Sequence, residues 1–290
     1  MFLEGKTVLI TGAGSGIGRA LAIEASRRGL KLALVGRRRE TLSETQHELS
    51  RPEDCIVIVA DVTTSEGRER VCSQLSTAWG GLNVLVNNAG IVAAGPLSSL
   101  PDIDLERLVA TNLTAPIALT RDLLPLLRAA SPARVVNIGS LSGEIALPLF
   151  AAYSATKFGL RGLSNALRRE LKGHGIGVTY AAPGGVRTAA AEAVAPFIEA
   201  LGMRATDSPA AVAARIWKAV GRGADGVYPD GRERWFVFIE RFLPALITRA
   251  LAQQLEAGAR GGTINGEALS LPLTRSHAPQ SSDHRRVPCS

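Results

Sequence analysis

Short apolar runs with little polar alternation recur along the first two thirds of the chain, at residues 7–10, 32–35, 56–60, 82–86, 134–138 and 178–181. A strand that is apolar on both faces is covered on both, as in a parallel sheet held between two helix layers. The stretches between these runs carry helical spacing instead; residues 17–28 repeat apolar positions at three and four until Gly29 stops them. Strand, turn and helix alternate, and the pattern predicts an α/β fold with a doubly wound parallel sheet in a single domain. Pro116 and Pro125 fall inside an apolar-periodic segment at 103–128. Proline has no N–H, so Pro116 leaves the Asn112 carbonyl without its helical donor, and spacing alone predicts a kink there. After Pro183-Gly184-Gly185 an alanine-rich, apolar stretch at 189–201 predicts a helical flap. A final strand around Val227-Tyr228 is weakly marked.

The first strand runs into Thr11-Gly12-Ala13-Gly14-Ser15-Gly16-Ile17-Gly18, directly before a helix. A helix start presents free N–H groups and the positive end of its dipole, which suit a pyrophosphate. Gly12 fits the tight turn, Gly16 the close approach of the phosphate and Gly18 the packing of helix on strand. The second strand ends in Gly36-Arg37-Arg38, where an acidic residue would instead accept from a ribose 2′-hydroxyl. Guanidinium groups there grip a 2′-phosphate, so NADP(H) is favoured over NAD(H).

Tyr153 and Lys157 stand four apart, on one face of a helix, and Ser140 follows the strand at 134–138. Tyrosine titrates near ~10 in model peptides, so acting near neutrality asks for roughly 3 to 4 kcal/mol. A positive charge ~4 Å away supplies about 4 kcal/mol at an effective dielectric of ~20, which one lysine matches. Ser140 sits where ligands bind in open α/β sheets and can hydrogen-bond a substrate oxygen, with Ser142 as its nearby competitor.

Together these residues resemble the compact subclass of the short-chain dehydrogenase/reductase family, over about residues 5–188. Further matches are Asp61-Val62, Asn87-Asn88-Ala89-Gly90, Asn112 and Pro183-Gly184-Gly185-Val186-Arg187-Thr188. The resemblance implies a Rossmann-type, seven-stranded, doubly wound parallel sheet and a homodimer or homotetramer. It implies that Tyr153 is the general acid/base, that Lys157 lowers its pKa and holds ribose, and that Ser140 positions the carbonyl. Asn112 would hold a water through its backbone carbonyl. Asp61 would contact adenine, Asn88, Ala89 and Gly90 would flank the adenosine half, and Pro183, Gly184, Val186 and Thr188 would close over the nicotinamide. Ser15 stands where the family's NADP-dependent members often carry a basic residue, so the cofactor preference rests on Arg37 and Arg38.

The expected organisation is a catalytic domain at 1–231 with a substrate flap at about 188–206, an amphipathic helical extension at 232–260, and a disordered tail at 261–290. Apolar residues in the flap (Val194, Pro196, Phe197, Ile198, Leu201) and after Gly90 (Ile91, Val92, Ala93, Ala94) point to a lipophilic carbonyl or alcohol as substrate. Aromatic residues crowd 234–251 between Arg234, Arg241 and Arg249, and this segment packs against the core or a partner subunit, or lies at a membrane surface.

Net charge of +7 and a pI near 9.8 raise the question of nucleic acid, but the basic residues are dispersed without an aromatic-interleaved stripe, so none is expected. The three cysteines and four histidines lie far apart, which argues against a disulfide framework and a metal site. With no charged-then-apolar leader, a cytoplasmic setting is expected, with peripheral membrane association through 234–251 as the variant. The alternative function, a catalytically weak nicotinamide-binding regulator or scaffold, has the intact Ser140, Tyr153 and Lys157 set against it.

Overall fold

A computed structural model describes residues 3–229 and 232–260 of the chain. Seven strands form one all-parallel sheet: β1 (Thr7–Thr11), β2 (Lys31–Gly36), β3 (Cys55–Val59), β4 (Val84–Asn87), β5 (Ala133–Ile138), β6 (Ile176–Ala181) and β7 (Gly226–Val227), in the order β3-β2-β1-β4-β5-β6-β7. The order reverses direction between β1 and β4, and that reversal opens a crevice at the carboxyl edge of the sheet.

Helices between the strands cover both faces of the sheet. On one face α1 (Gly16–Arg27), α2 (Arg39–His47) and α9 (Pro209–Gly221) bury Leu21, Leu42, Ile216 and Trp217 against Val8, Ile10, Leu32 and Leu34. The fully buried Trp217 also gives its indole N–H to the Leu21 carbonyl at 2.9 Å, so its one polar atom is satisfied. On the other face α3 (Ser65–Trp79) and α5 (Ala115–Ala129) bury Val71, Leu75, Leu119 and Leu123 against Leu9, Val35, Leu85 and Val135. Adjacent strand residues thus point to opposite cores, and this is why the strand runs are apolar throughout.

The predicted helix at 103–128 is three pieces: α4 (Asp102–Val109), a π-helical turn at Ala110–Thr114, and α5. Pro116 cannot donate to Asn112, and the helix answers by widening over the preceding turn rather than by the simple kink expected from spacing. Pro125 is accommodated inside α5. The longest helix, α6 (Ala151–Glu170), lies over β6 and carries Tyr153 and Lys157. The expected helical flap consists of two short helices, α7 (Ala189–Glu192) and α8 (Ala195–Ala200), because Pro196 starts a new helix rather than continuing the old.

The last strand lies one residue earlier than predicted, with Tyr180 opposite Gly226 and Ala181 opposite Val227. Two further helices follow, α10 (Arg232–Phe242) and α11 (Pro244–Arg260). No helix of the described residues is long and apolar enough to cross a membrane. The disorder expected of 261–290 concerns residues outside those described.

Candidate active site

The Thr11 side chain organises the turn after β1. Its hydroxyl donates to the Val86 carbonyl at 3.3 Å and accepts from the amides of Asn88 at 3.0 Å and Ala89 at 2.9 Å. Asn88 returns its side-chain amide to the carbonyls of Thr11 at 2.8 Å and Gly12 at 3.2 Å, which stitches the ends of β1 and β4 side by side. Gly12 has φ +65°, and a Cβ there would come within 2.9 Å of the Ala89 Cα. A Cβ on Gly18 would lie 2.2 Å from the Gly12 carbonyl oxygen, so the helix can close on the turn only without one. Ser15 is the N-cap of α1 but makes no side-chain cap bond, leaving the first-turn amides free of a protein side chain beside the cleft that Gly14, Ser15, Gly16, Ile17 and Gly18 line.

One cleft of about 460 Å³ runs from this turn along the carboxyl edge of the sheet. Arg37 and Arg38 line its β2 end, both exposed, with no carboxylate in ion-pair range among the described residues. Asp61 and Val62 follow at the end of β3; one Asp61 carboxylate oxygen accepts from the Thr63 amide at 2.9 Å and hydroxyl at 2.7 Å, which fixes the turn. Asn88, Ala89, Gly90, Pro183, Gly184, Val186 and Thr188 line the same cleft. Val186 bridges to Asp207, and Thr188 caps α7 by accepting from the Ala191 amide.

Ser140, Tyr153 and Lys157 meet where the cleft passes β5. Ser140 caps a single 3-10 turn, its hydroxyl accepting from the Ser142 amide at 3.1 Å, whereas Ser142 is itself buried. The buried Lys157 ammonium donates to the Ile138 carbonyl at 3.0 Å and stands 5.7 Å from the centre of the Tyr153 ring. Burial lowers Lys157 from its ordinary 10.5 to about 8. Burial also raises the Tyr153 phenol, with the Ser140 hydroxyl pulling it partly back down. In the protein by itself the lysine charge is thus engaged by a backbone carbonyl, and the Ser140 hydroxyl is the neighbour that draws the phenol downward.

Among the residues expected to act in catalysis or hold the cofactor, Asn112 alone does not line the cleft. Its side chain, 1% exposed, accepts from the Ile91 amide at 2.9 Å and donates to the Ile91 carbonyl at 2.8 Å and the Thr156 hydroxyl at 3.3 Å. It thus clamps the segment after Gly90 to the helix carrying Tyr153, through its side chain rather than only through the carbonyl that the resemblance emphasised.

Sequence reasoning missed a buried chain of polar bonds under the site. Asn87 donates to Thr120 at 3.0 Å and to Asn137 at 2.8 Å, and Asn137 donates to Ser164 on α6 at 2.8 Å. The signal was present, since Asn87 and Asn137 are polar residues inside otherwise apolar strands. Also missed were Leu147, Phe150 and Met203, which join Ile91, Val92, Val194, Ile198 and Leu201 as apolar lining. Phe197, expected among them, is 1% exposed and packs behind the wall instead, and Pro196, Ala93 and Ala94 do not line the cleft. Among the described residues no cluster of His, Cys, Asp or Glu could hold a metal ion.

Comparison with known proteins agrees with this architecture. The family model for short chain dehydrogenases matches residues 6–198. The chain is 31% identical to the cattle (Bos taurus) dehydrogenase/reductase SDR family member 7B over 268 residues, covering 87% of this chain and 82% of that one. It is 37% identical over 187 residues to the rhamnolipids biosynthesis 3-oxoacyl-[acyl-carrier-protein] reductase of Pseudomonas aeruginosa, covering 63% of this chain and 73% of that one. A solved short-chain dehydrogenase from Streptomyces avermitilis superposes with a TM-score of 0.74 at 31% identity, covering 89% of this chain and 99% of that one. The chain belongs to the short-chain dehydrogenase family and is a dehydrogenase/reductase.

Proposed function

We propose that the protein reduces a lipophilic ketone or aldehyde to its alcohol with NADPH, using Ser140, Tyr153 and Lys157. The observation that supports this reading is the meeting of a half-buried tyrosine, a buried ammonium and a serine hydroxyl beside an apolar wall, in the same cleft as the glycine turn. The turn fits a dinucleotide: Gly12 and Gly18 let the turn, the start of α1 and the end of β4 close together where a Cβ would strike protein atoms, and the open start of α1 suits a pyrophosphate. Gly12 to Gly18 would hold the phosphates, Asp61 and Val62 the adenine side, Asn88 to Gly90 the adenosine half, and Pro183 to Thr188 the nicotinamide side. When bound, the cofactor supplies a hydride.

The chain's own residues supply the rest. Ser140 hydrogen-bonds the carbonyl oxygen, and its donation strengthens as charge gathers there. Tyr153, kept protonated by burial, gives its proton to that oxygen; an alkoxide is a far stronger base than a phenolate, so the transfer runs downhill. Lys157 then steadies the phenolate, and the reverse sequence oxidises an alcohol. The polar chain from Asn87 to Ser164 and the Asn112 clamp hold α6 in register with the end of β5.

Arg37 and Arg38 support a preference for NADPH, since two unpaired guanidinium groups favour a 2′-phosphate over a diol. Replacing both by Ala is expected to raise the KM for NADPH by about 10- to 100-fold, one or two charge-assisted bonds, while the KM for NADH stays within about twofold. Steady-state kinetics with both cofactors checks this. The exposed apolar residues Ile103, Ile117 and Phe158 on α4 to α6 fit a homo-oligomer. The function is tested with aliphatic, aromatic, steroid-like and acyl-linked ketones, each followed by NADPH absorbance. Turnover of the larger apolar ketones is expected, and NADPH binding without turnover of any ketone would favour the regulator or scaffold reading.

A further inference from the structure

We infer that the helical extension seats the enzyme on an anionic lipid surface. Trp235, Phe238 and Phe242 recur at three and four along α10, and their rings form one ridge, with centroids 6.2 Å apart for the first pair and 4.7 Å for the second. Leu243, between the two helices, and Leu246, in the first turn of α11, are exposed as well. These five side chains are 52–68% exposed, more than half in water, so they project rather than line a groove.

The ridge is not waiting to fold back on its own chain, because the opposite side of the extension is already packed. Ile247 is 7% exposed against Leu141 and Ile145, and Val237, Ile239 and Leu251 pack on the same cluster. Leu147 and Met203, which line the cleft, belong to that cluster too, so the extension lies between the apolar wall and the ridge.

Charge selects the occupant. Arg249 is exposed three residues after Leu246, and Arg241 is exposed beside Phe242, where it also lies in the field of the Glu144 carboxylate, on a chain of net charge +7. Aromatic and aliphatic side chains bordered by arginines suit the boundary between headgroups and acyl chains: rings enter the apolar layer while guanidinium groups meet phosphates. A second copy of this chain would bring the same positive edges together, and a separate set of exposed apolar residues on α4 to α6 is available for self-association. The extension therefore lies flat on the bilayer, without crossing it.

The test is flotation of the full chain with vesicles of equimolar phosphatidylcholine and phosphatidylglycerol, and with vesicles of phosphatidylcholine alone, alongside sedimentation velocity without lipid. The wild-type chain is expected to float with the anionic vesicles, less so with the neutral ones, and to be released by salt. F238D/F242D is expected to float at least tenfold less, with its melting temperature unchanged because both rings are exposed, and R241Q/R249Q several-fold less. Absence of flotation by the wild type, or flotation that F238D/F242D does not reduce, overturns the inference. A smaller sedimenting species for F238D/F242D without lipid overturns it too, by assigning the ridge to a second copy. None of these readouts depends on turnover, so they stand apart from the proposed reaction.

Discussion

Tyr153→Phe is expected to lower the turnover of carbonyl reduction by about 10²- to 10⁴-fold and to leave NADPH affinity within about twofold. The expectation follows from what the substitution removes. The ring stays, with its edge against Phe150 at a centroid distance of 6.4 Å, and only the hydroxyl is lost. Packing of α6 is unaffected, and the glycine turn lies elsewhere in the cleft. The developing alkoxide then has Ser140 as its one remaining protein donor in the constellation, and Ser140 cannot release a proton as readily as a phenol. Stopped-flow turnover together with fluorescence titration of NADPH separates the two quantities. Residual turnover within tenfold of wild type would remove Tyr153 from its assigned role.

Lys157→Met is expected to do two opposite things. Turnover falls by about 10²-fold or more, because the phenolate loses its charged neighbour. Stability at neutral pH nevertheless rises. Lys157 is lowered from 10.5 to about 8, so between those values the unfolded chain holds the proton that the folded chain has lost. Stability of the wild type therefore rises with pH across that window, and below about 8 the whole penalty is present. Its size is about 3 kcal/mol, offset in the variant by about 1 to 3 kcal/mol for the Ile138 carbonyl left without its donor. The variant should be more stable by about 1 kcal/mol at pH 7, and less stable than wild type above about pH 10. Urea unfolding at a series of pH values reads this directly, and a variant less stable than wild type throughout would contradict it.

Much of the fold could be read from the strands because a parallel sheet leaves an unambiguous pattern: Val8 and Leu9 face different cores, so the run stays apolar. The glycine turn was legible for a related reason. Gly12 and Gly18 stand where any side chain meets backbone, and such positions advertise themselves. The π-helical turn before Pro116 was harder, because proline reveals a missing donor but not whether the helix bends or widens. The shifted last strand was nearly invisible, being two residues long and paired only at Tyr180 and Ala181. Among the site residues, spacing brought out Ser140, Tyr153 and Lys157, whereas the balance of their electrostatics depends on burial that no spacing encodes. The Asn112 clamp escaped for the same reason, since its partners Ile91 and Thr156 are 21 and 44 residues away.

The proposed chemistry turns on a phenol that stays protonated at neutral pH beside a lysine whose burial lowers it to about 8. The pH profile of kcat/KM for ketone reduction by NADPH, measured for wild type and Lys157→Met, tests it most directly. The wild-type rate is expected to be level below about pH 7 and to fall as pH rises through about 8, and this fall is expected to be absent from the variant. A rate of reduction that climbs with pH over the same range, or the same fall persisting without Lys157, would contradict it.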